Sequence, residues 1–318
     1  MAKSKKSSKK TNKTSSKAEK VVKDEAVKTE KVEKAEKTEV VEKVEKVEKK
    51  EEKTEKKGKG FFGKFFEKKC DPKENILTIF KSKKIYAALI GEIVGTMIVA
   101  LLILTMGANQ PVWNVFVVMV ATIAVYSFSG ANLNPVVTVG MMATRRMSAI
   151  RGVLYLLAQM LGAWAALLII GAFIKAGGTE SELPKMAAVA DGAFWTTTMV
   201  EFLGASIIGF AFARALQYKR SVFTFAMVVA GGVFAATVVC LFISYYYMET
   251  SGNFTLNPAI SLMSQILPTG GDNVGEVLGK VMLALLTYVI FPMLGGVVGF
   301  YVADAAATLN DEDVKLVK

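Results

Sequence analysis

The sequence predicts an all-α membrane protein with six transmembrane helices and two half-helices in an inverted repeat. Three observations lead there. The 318 residues are 52% hydrophobic, with a mean hydropathy of +0.38, which is a membrane composition. Six long apolar stretches follow residue 84, each near or above the length of about 20 residues that crosses hydrocarbon. One short phrase is also written twice, as Ser129-Gly130-Ala131-Asn132-Leu133-Asn134-Pro135-Val136 and as Ser251-Gly252-Asn253-Phe254-Thr255-Leu256-Asn257-Pro258-Ala259.

The chain divides by charge. Residues 1–84 hold 28 lysines and 16 acidic residues, and the remainder holds 11 basic and 12 acidic ones, so the net charge of +11 belongs to the N-terminal part. Residues 1–57 are low-complexity. The run from Val41 to Lys49 repeats every three residues and drifts around a helix without building an apolar stripe. A disordered Lys/Glu-rich cytoplasmic tail is expected, solubilising or drawn to anionic lipid or another polyanion. Residues 58–84 form a basic, aromatic juxtamembrane segment. There Phe61-Phe62 and Phe65-Phe66 alternate with lysines, a pattern that suits the headgroup layer.

The membrane part spans 85–308, with a short C-terminal tail at 309–318. Its six spans are predicted at 85–106, 112–128, 152–174, 193–213, 222–245 and 277–303. The Asn-Pro units lie 123 residues apart. Proline is well placed in a helix's first turn, and asparagine just before it. Each unit therefore predicts a short helix, at about 135–142 and 258–266, too short to span. Two such starts in two halves of a membrane protein imply a pore or binding site near the midplane.

Loop charges set the expected orientation. Arg145, Arg146 and Arg151 follow the second span, and Arg214, Lys219 and Arg220 follow the fourth. Both termini are then cytoplasmic, and the half-helices enter from opposite faces with their N-terminal ends meeting. Glu92 and Glu201 lie early in the first span of each half. Intramembrane carboxylates face a protein interior or cavity, and their expected role is structural, accepting N–H groups from the loops before the half-helices. Gln159 is similar in kind. Gly91, Gly95, Gly162, Gly204, Gly295, Gly296 and Gly299 predict close helix contacts.

The composition also excludes. Histidine is absent, which removes the commonest general base and neutral metal ligand. Two cysteines, Cys70 and Cys240, suggest no disulfide framework. No nucleotide loop, metal cluster or nucleophile–base pair is evident, so no enzyme, cofactor or metal is expected, and no cleavable signal peptide is visible.

These residues resemble the major intrinsic protein family, the aquaporins and aquaglyceroporins of glycerol-facilitator type, over about residues 85–308. The family's first signature reads Ser-Gly-Ala-His-Leu-Asn-Pro-Ala-Val-Thr. Here Ser129 to Thr138 match it, with Asn132 for His and Val136 for Ala. Asn257-Pro258-Ala259 match the second signature. Glu92, Gln159, Glu201 and the Pro292, Gly295, Gly296, Tyr301, Asp304 pattern also fit. The resemblance implies an hourglass pore in each subunit, a homotetramer, and Asn134, Pro135, Val136, Asn257, Pro258 and Ala259 as the pore motifs. Its members place Arg immediately after the second Asn-Pro-Ala, where this chain has Ile260. They carry Gly four residues before the second Asn, where Asn253 stands; Gly252 is one position earlier, as after a one-residue insertion. By family spacing the outer filter comprises Asn114, Phe254, Ile260 and either Tyr245 or Ser244. Passage of water and small uncharged solutes such as glycerol is the expectation. A strict water channel, a non-conducting scaffold acting through its basic tail, and an ion-coupled transporter are the alternatives.

Overall fold

The computed structural model describes residues 79–107, 110–178, 183, 193–217, 221–247, 254–265 and 274–316. The tail expected at 1–57 and the juxtamembrane segment up to residue 78 lie outside the described residues, as does the stretch 251–253 where family spacing suggests an insertion.

The first half is built from α1 (Lys83–Met106), α2 (Pro111–Ser129), the half-helix α3 (Pro135–Ala143) and α4 (Ala149–Ala176). The second repeats the order with α5 (Phe194–Gln217), α6 (Val222–Tyr247), the half-helix α7 (Pro258–Gln265) and a last span. That span is interrupted: α8 (Val274–Leu285) passes through a single π-helical turn, Leu286–Ile290, into α9 (Phe291–Leu316). Six helices are long and apolar enough to cross a membrane. The two half-helices fall within one residue of their expected bounds. The π turn was not expected, and α9 runs on beyond the boundary placed at residue 308.

Local chemistry explains the starts. Ser82 Oγ accepts from Lys84 N at 3.3 Å and Ser148 Oγ from Arg151 N at 3.2 Å, capping α1 and α4. α2 and α3 each begin with proline.

Packing follows the repeat. α1 packs on α2 and α4 as α5 packs on α6 and α9, while α2 and α6 meet along a central seam. Each half-helix crosses over, α3 lying against α9 and α7 against α4. One apolar cluster gathers Ile208, Phe212, Phe225, Cys240, Phe254 and Phe300; a second gathers Val99, Leu104, Leu133, Ala163 and Ile260. Outside these clusters the spans present exposed Phe, Trp, Leu and Val, such as Trp113, Trp164, Phe173 and Phe242, as a lipid-facing surface requires.

Candidate pore between the two half-helices

The loop before α3 turns back into the bundle, and its backbone N–H groups must find acceptors there. Glu92 supplies them: its carboxylate accepts from Asn132 N at 3.0 Å and Leu133 N at 2.8 Å. Glu201 repeats the arrangement in the second half, accepting from Thr255 N at 2.7 Å and Leu256 N at 3.1 Å. Both glutamates are fully buried. Gln159 adds a third donor on Glu92, Nε2 to Oε2 at 2.7 Å, and also donates to Thr138 Oγ1 at 2.9 Å. Asn132, standing where the family has His, donates to the same Thr138 hydroxyl at 3.2 Å.

Held this way, Leu133 and Leu256 adopt the left-handed conformation, each with φ of 54°. That turn aims their carbonyls at the opposite half. Asn134 Nδ2 donates to Leu256 O at 2.8 Å, and Asn257 Nδ2 donates to Leu133 O at 3.1 Å. Each asparagine also caps its own half-helix, Asn134 Oδ1 accepting from Val136 N at 2.9 Å and Asn257 Oδ1 from Ala259 N at 3.2 Å. One amide hydrogen on each side chain is used in this exchange, and an amide nitrogen carries two.

A narrow cavity passes these asparagines. Asn132, Asn134, Thr255 and Asn257 border it from the half-helix side. Asn114, Val118 and Thr122 on α2 and Val229, Val233 and Thr237 on α6 line the central seam. Val99, Ile103 and Ile208 are among its other apolar residues.

The expected filter residues separate. Asn114 lines the cavity. Phe254 and Ile260 are buried, at 1% and 0% exposed, each within one of the two apolar clusters rather than among the cavity-lining residues. Of the two alternatives, Tyr245 is 66% exposed with its ring edge-on to Tyr246, whereas Ser244 is 2% exposed. Ser244 follows Thr237 by seven residues, two helical turns, and so shares its inward face. Pro135, Val136, Pro258 and Ala259 are buried within the half-helix starts. Thr122, Thr237, Val229 and Val233 were not singled out in the sequence. The i, i+4, i+8 spacing of Asn114, Val118 and Thr122 is the signal that could have found the first of them.

Six membrane-crossing helices, two half-helices meeting at crossed asparagines, and a cavity between them define a multi-pass membrane protein of the pore-forming class. The family model for the major intrinsic proteins matches residues 79–303, and the chain belongs to that family, one of channels rather than enzymes. Among similar proteins, Aquaporin TIP1-2 of Musa acuminata is 25% identical over 181 residues, 54% of this chain and 66% of the relative. Glycerol uptake facilitator protein-like 6 of Lactiplantibacillus plantarum is 25% identical over 201 residues, 60% of this chain and 82% of the relative. Aquaporin TIP4-4 of Zea mays is 33% identical over 124 residues, 39% and 48% respectively. The chain thus covers less than two thirds of the length of these two plant relatives. The solved aquaglyceroporin of Plasmodium falciparum is 17% identical, covering 71% of this chain and 94% of its own, with a TM-score of 0.44.

Proposed function

We propose that the protein is a passive channel in the cell membrane for water and small uncharged solutes such as glycerol. The observation that carries this reading is the crossed pair Asn134–Leu256 and Asn257–Leu133 at the waist of the cavity. It leaves amide donors facing a narrow passage whose other walls are largely apolar. A neutral solute oxygen can accept from those amides, and the positive ends of two half-helices oppose a cation at the same level. The relatives' names point the same way, one a glycerol uptake facilitator and the others aquaporins.

Of the expected outer-filter residues, Asn114 and Ser244 are proposed to face the passage, without the fixed charge of an arginine. Proton exclusion then rests on the half-helix ends alone. Both termini lie in the cytoplasm on this reading, since Arg145, Arg146, Arg151, Arg214, Lys219 and Arg220 follow the second and fourth spans in the sequence. The subunits assemble as a homotetramer, and the lysine-rich tail meets anionic lipid or another polyanion. Stopped-flow light scattering on proteoliposomes tests the central claim. Water and glycerol permeabilities above those of empty vesicles are expected, with no proton flux. Water flux without glycerol flux would reduce the protein to a water channel, and no flux at all would leave the scaffold reading.

A further inference from the structure

We propose that Thr122 is a solute-binding residue of this pore, its hydroxyl contacting polyol hydroxyls across the cavity from Asn134 and Asn257. This rests on the channel reading above and deepens it. Thr122 is fully buried, lines the cavity, and its Oγ1 has no hydrogen-bond partner among the described residues. A helical threonine ordinarily spends its hydroxyl on the carbonyl one turn back. Thr105, Thr144 and Thr308 do so, on Leu101, Gly140 and Asp304. Thr122 does not, and a buried hydroxyl left without a partner is costly unless something else fills the role.

Position separates Thr122 from the other buried hydroxyl of this kind. Thr96 also lacks a partner for its Oγ1, but it is not among the cavity-lining residues and sits where α1 passes Gly162 of α4. Thr122 instead belongs to the α2 face that carries Asn114 and Val118 into the cavity. The chemistry is complementary. The asparagine amides only donate, whereas a hydroxyl both donates and accepts. A solute with hydroxyl groups along its length can accept from the amides at one oxygen and exchange a hydrogen bond with Thr122 at another. A polyol carries both oxygens in one molecule, so the paired contact favours polyols over water on this proposal.

Thr122→Val keeps the volume and removes the hydroxyl, and losing an unpartnered polar group favours folding. In proteoliposomes of the full chain, T122V should lower the ratio of glycerol to water permeability by about three- to ten-fold, the worth of one neutral hydrogen bond. The glycerol concentration that half-saturates flux should rise in the same variant. T122S, which keeps the hydroxyl, should hold the wild-type ratio. A wild-type ratio in T122V, or glycerol and water falling together, would overturn the proposal while leaving the channel reading intact. Wild-type protein that passes water but no glycerol would overturn the proposal and reduce the protein to a water channel, and that arm is read without any variant.

Discussion

Leu133 and Leu256 hold a backbone conformation that costs a non-glycine residue about 1–3 kcal/mol, and they hold it directly before the two asparagines. What pins them is the carboxylate behind each loop. Replacing Glu92 or Glu201 by alanine leaves two buried N–H groups without acceptors, at about 1–3 kcal/mol each. Both variants should unfold at clearly lower temperature in detergent, followed by circular dichroism. Glu92→Ala should also disorder Gln159, which keeps only Thr138 as acceptor. The sequence alone made these glutamates and asparagines legible, because a carboxylate or an Asn-Pro unit inside hydrocarbon is too costly to stand there without buried donors to satisfy or a helix to start. The wall around them was less legible. Tyr245 and Ser244 differ by one residue, and the one-residue insertion that family spacing suggests before Asn257 would shift the count by that amount, so only the helix's rotation separates the exposed ring from the buried hydroxyl. Ile260 reads as a pore residue by spacing, yet its apolar side chain settles among Val99, Leu104 and Ala163.

At the scale of elements, glycines set how closely the helices approach, but the neighbours differ in how far they can give. A Cβ on Gly95 would collide with Leu133 Cδ2, and one on Gly204 would collide with Leu256 Cδ2. The two glycines thus repeat each other, three residues after the paired glutamates, and each makes room for the leucine of an Asn-Pro unit. A Cβ on Gly299 would instead run into the backbone carbonyl of Ser206, where α9 crosses α5. Side-chain ends move and carbonyls in a helix do not. Gly299→Val should therefore lower folded yield and thermal stability far more than Gly95→Ala, as fluorescence-detected size exclusion would show. Periodicity and length were enough to place the long helices, and proline the short ones. The π turn at Leu286–Ile290 had no such signal, since one extra residue in a turn leaves composition and hydropathy unchanged.

Across the whole molecule, the two halves are tied at one end by a polar clasp. Arg146, just after α3, makes a two-pronged ion pair with Asp304 of α9, at 2.6 and 3.0 Å, with side chains 11% and 5% exposed. Gln217 at the end of α5 donates to the same carboxylate at 3.0 Å, and Tyr301 donates to Ala143 O at 2.9 Å. Breaking a buried pair by removing one partner costs about 3–5 kcal/mol, while an apolar replacement of both is far milder. Arg146→Met should therefore destabilise the protein more than Arg146→Met combined with Asp304→Leu, in a double-mutant cycle of thermal unfolding.

The crossed amide bonds at the waist have a consequence for biogenesis. Asn134 needs the carbonyl of Leu256, and Asn257 needs that of Leu133, so neither half can complete its own lining. The passage comes into being only when the second repeat docks on the first. On the proposed reading, a chain caught midway through insertion carries no finished passage.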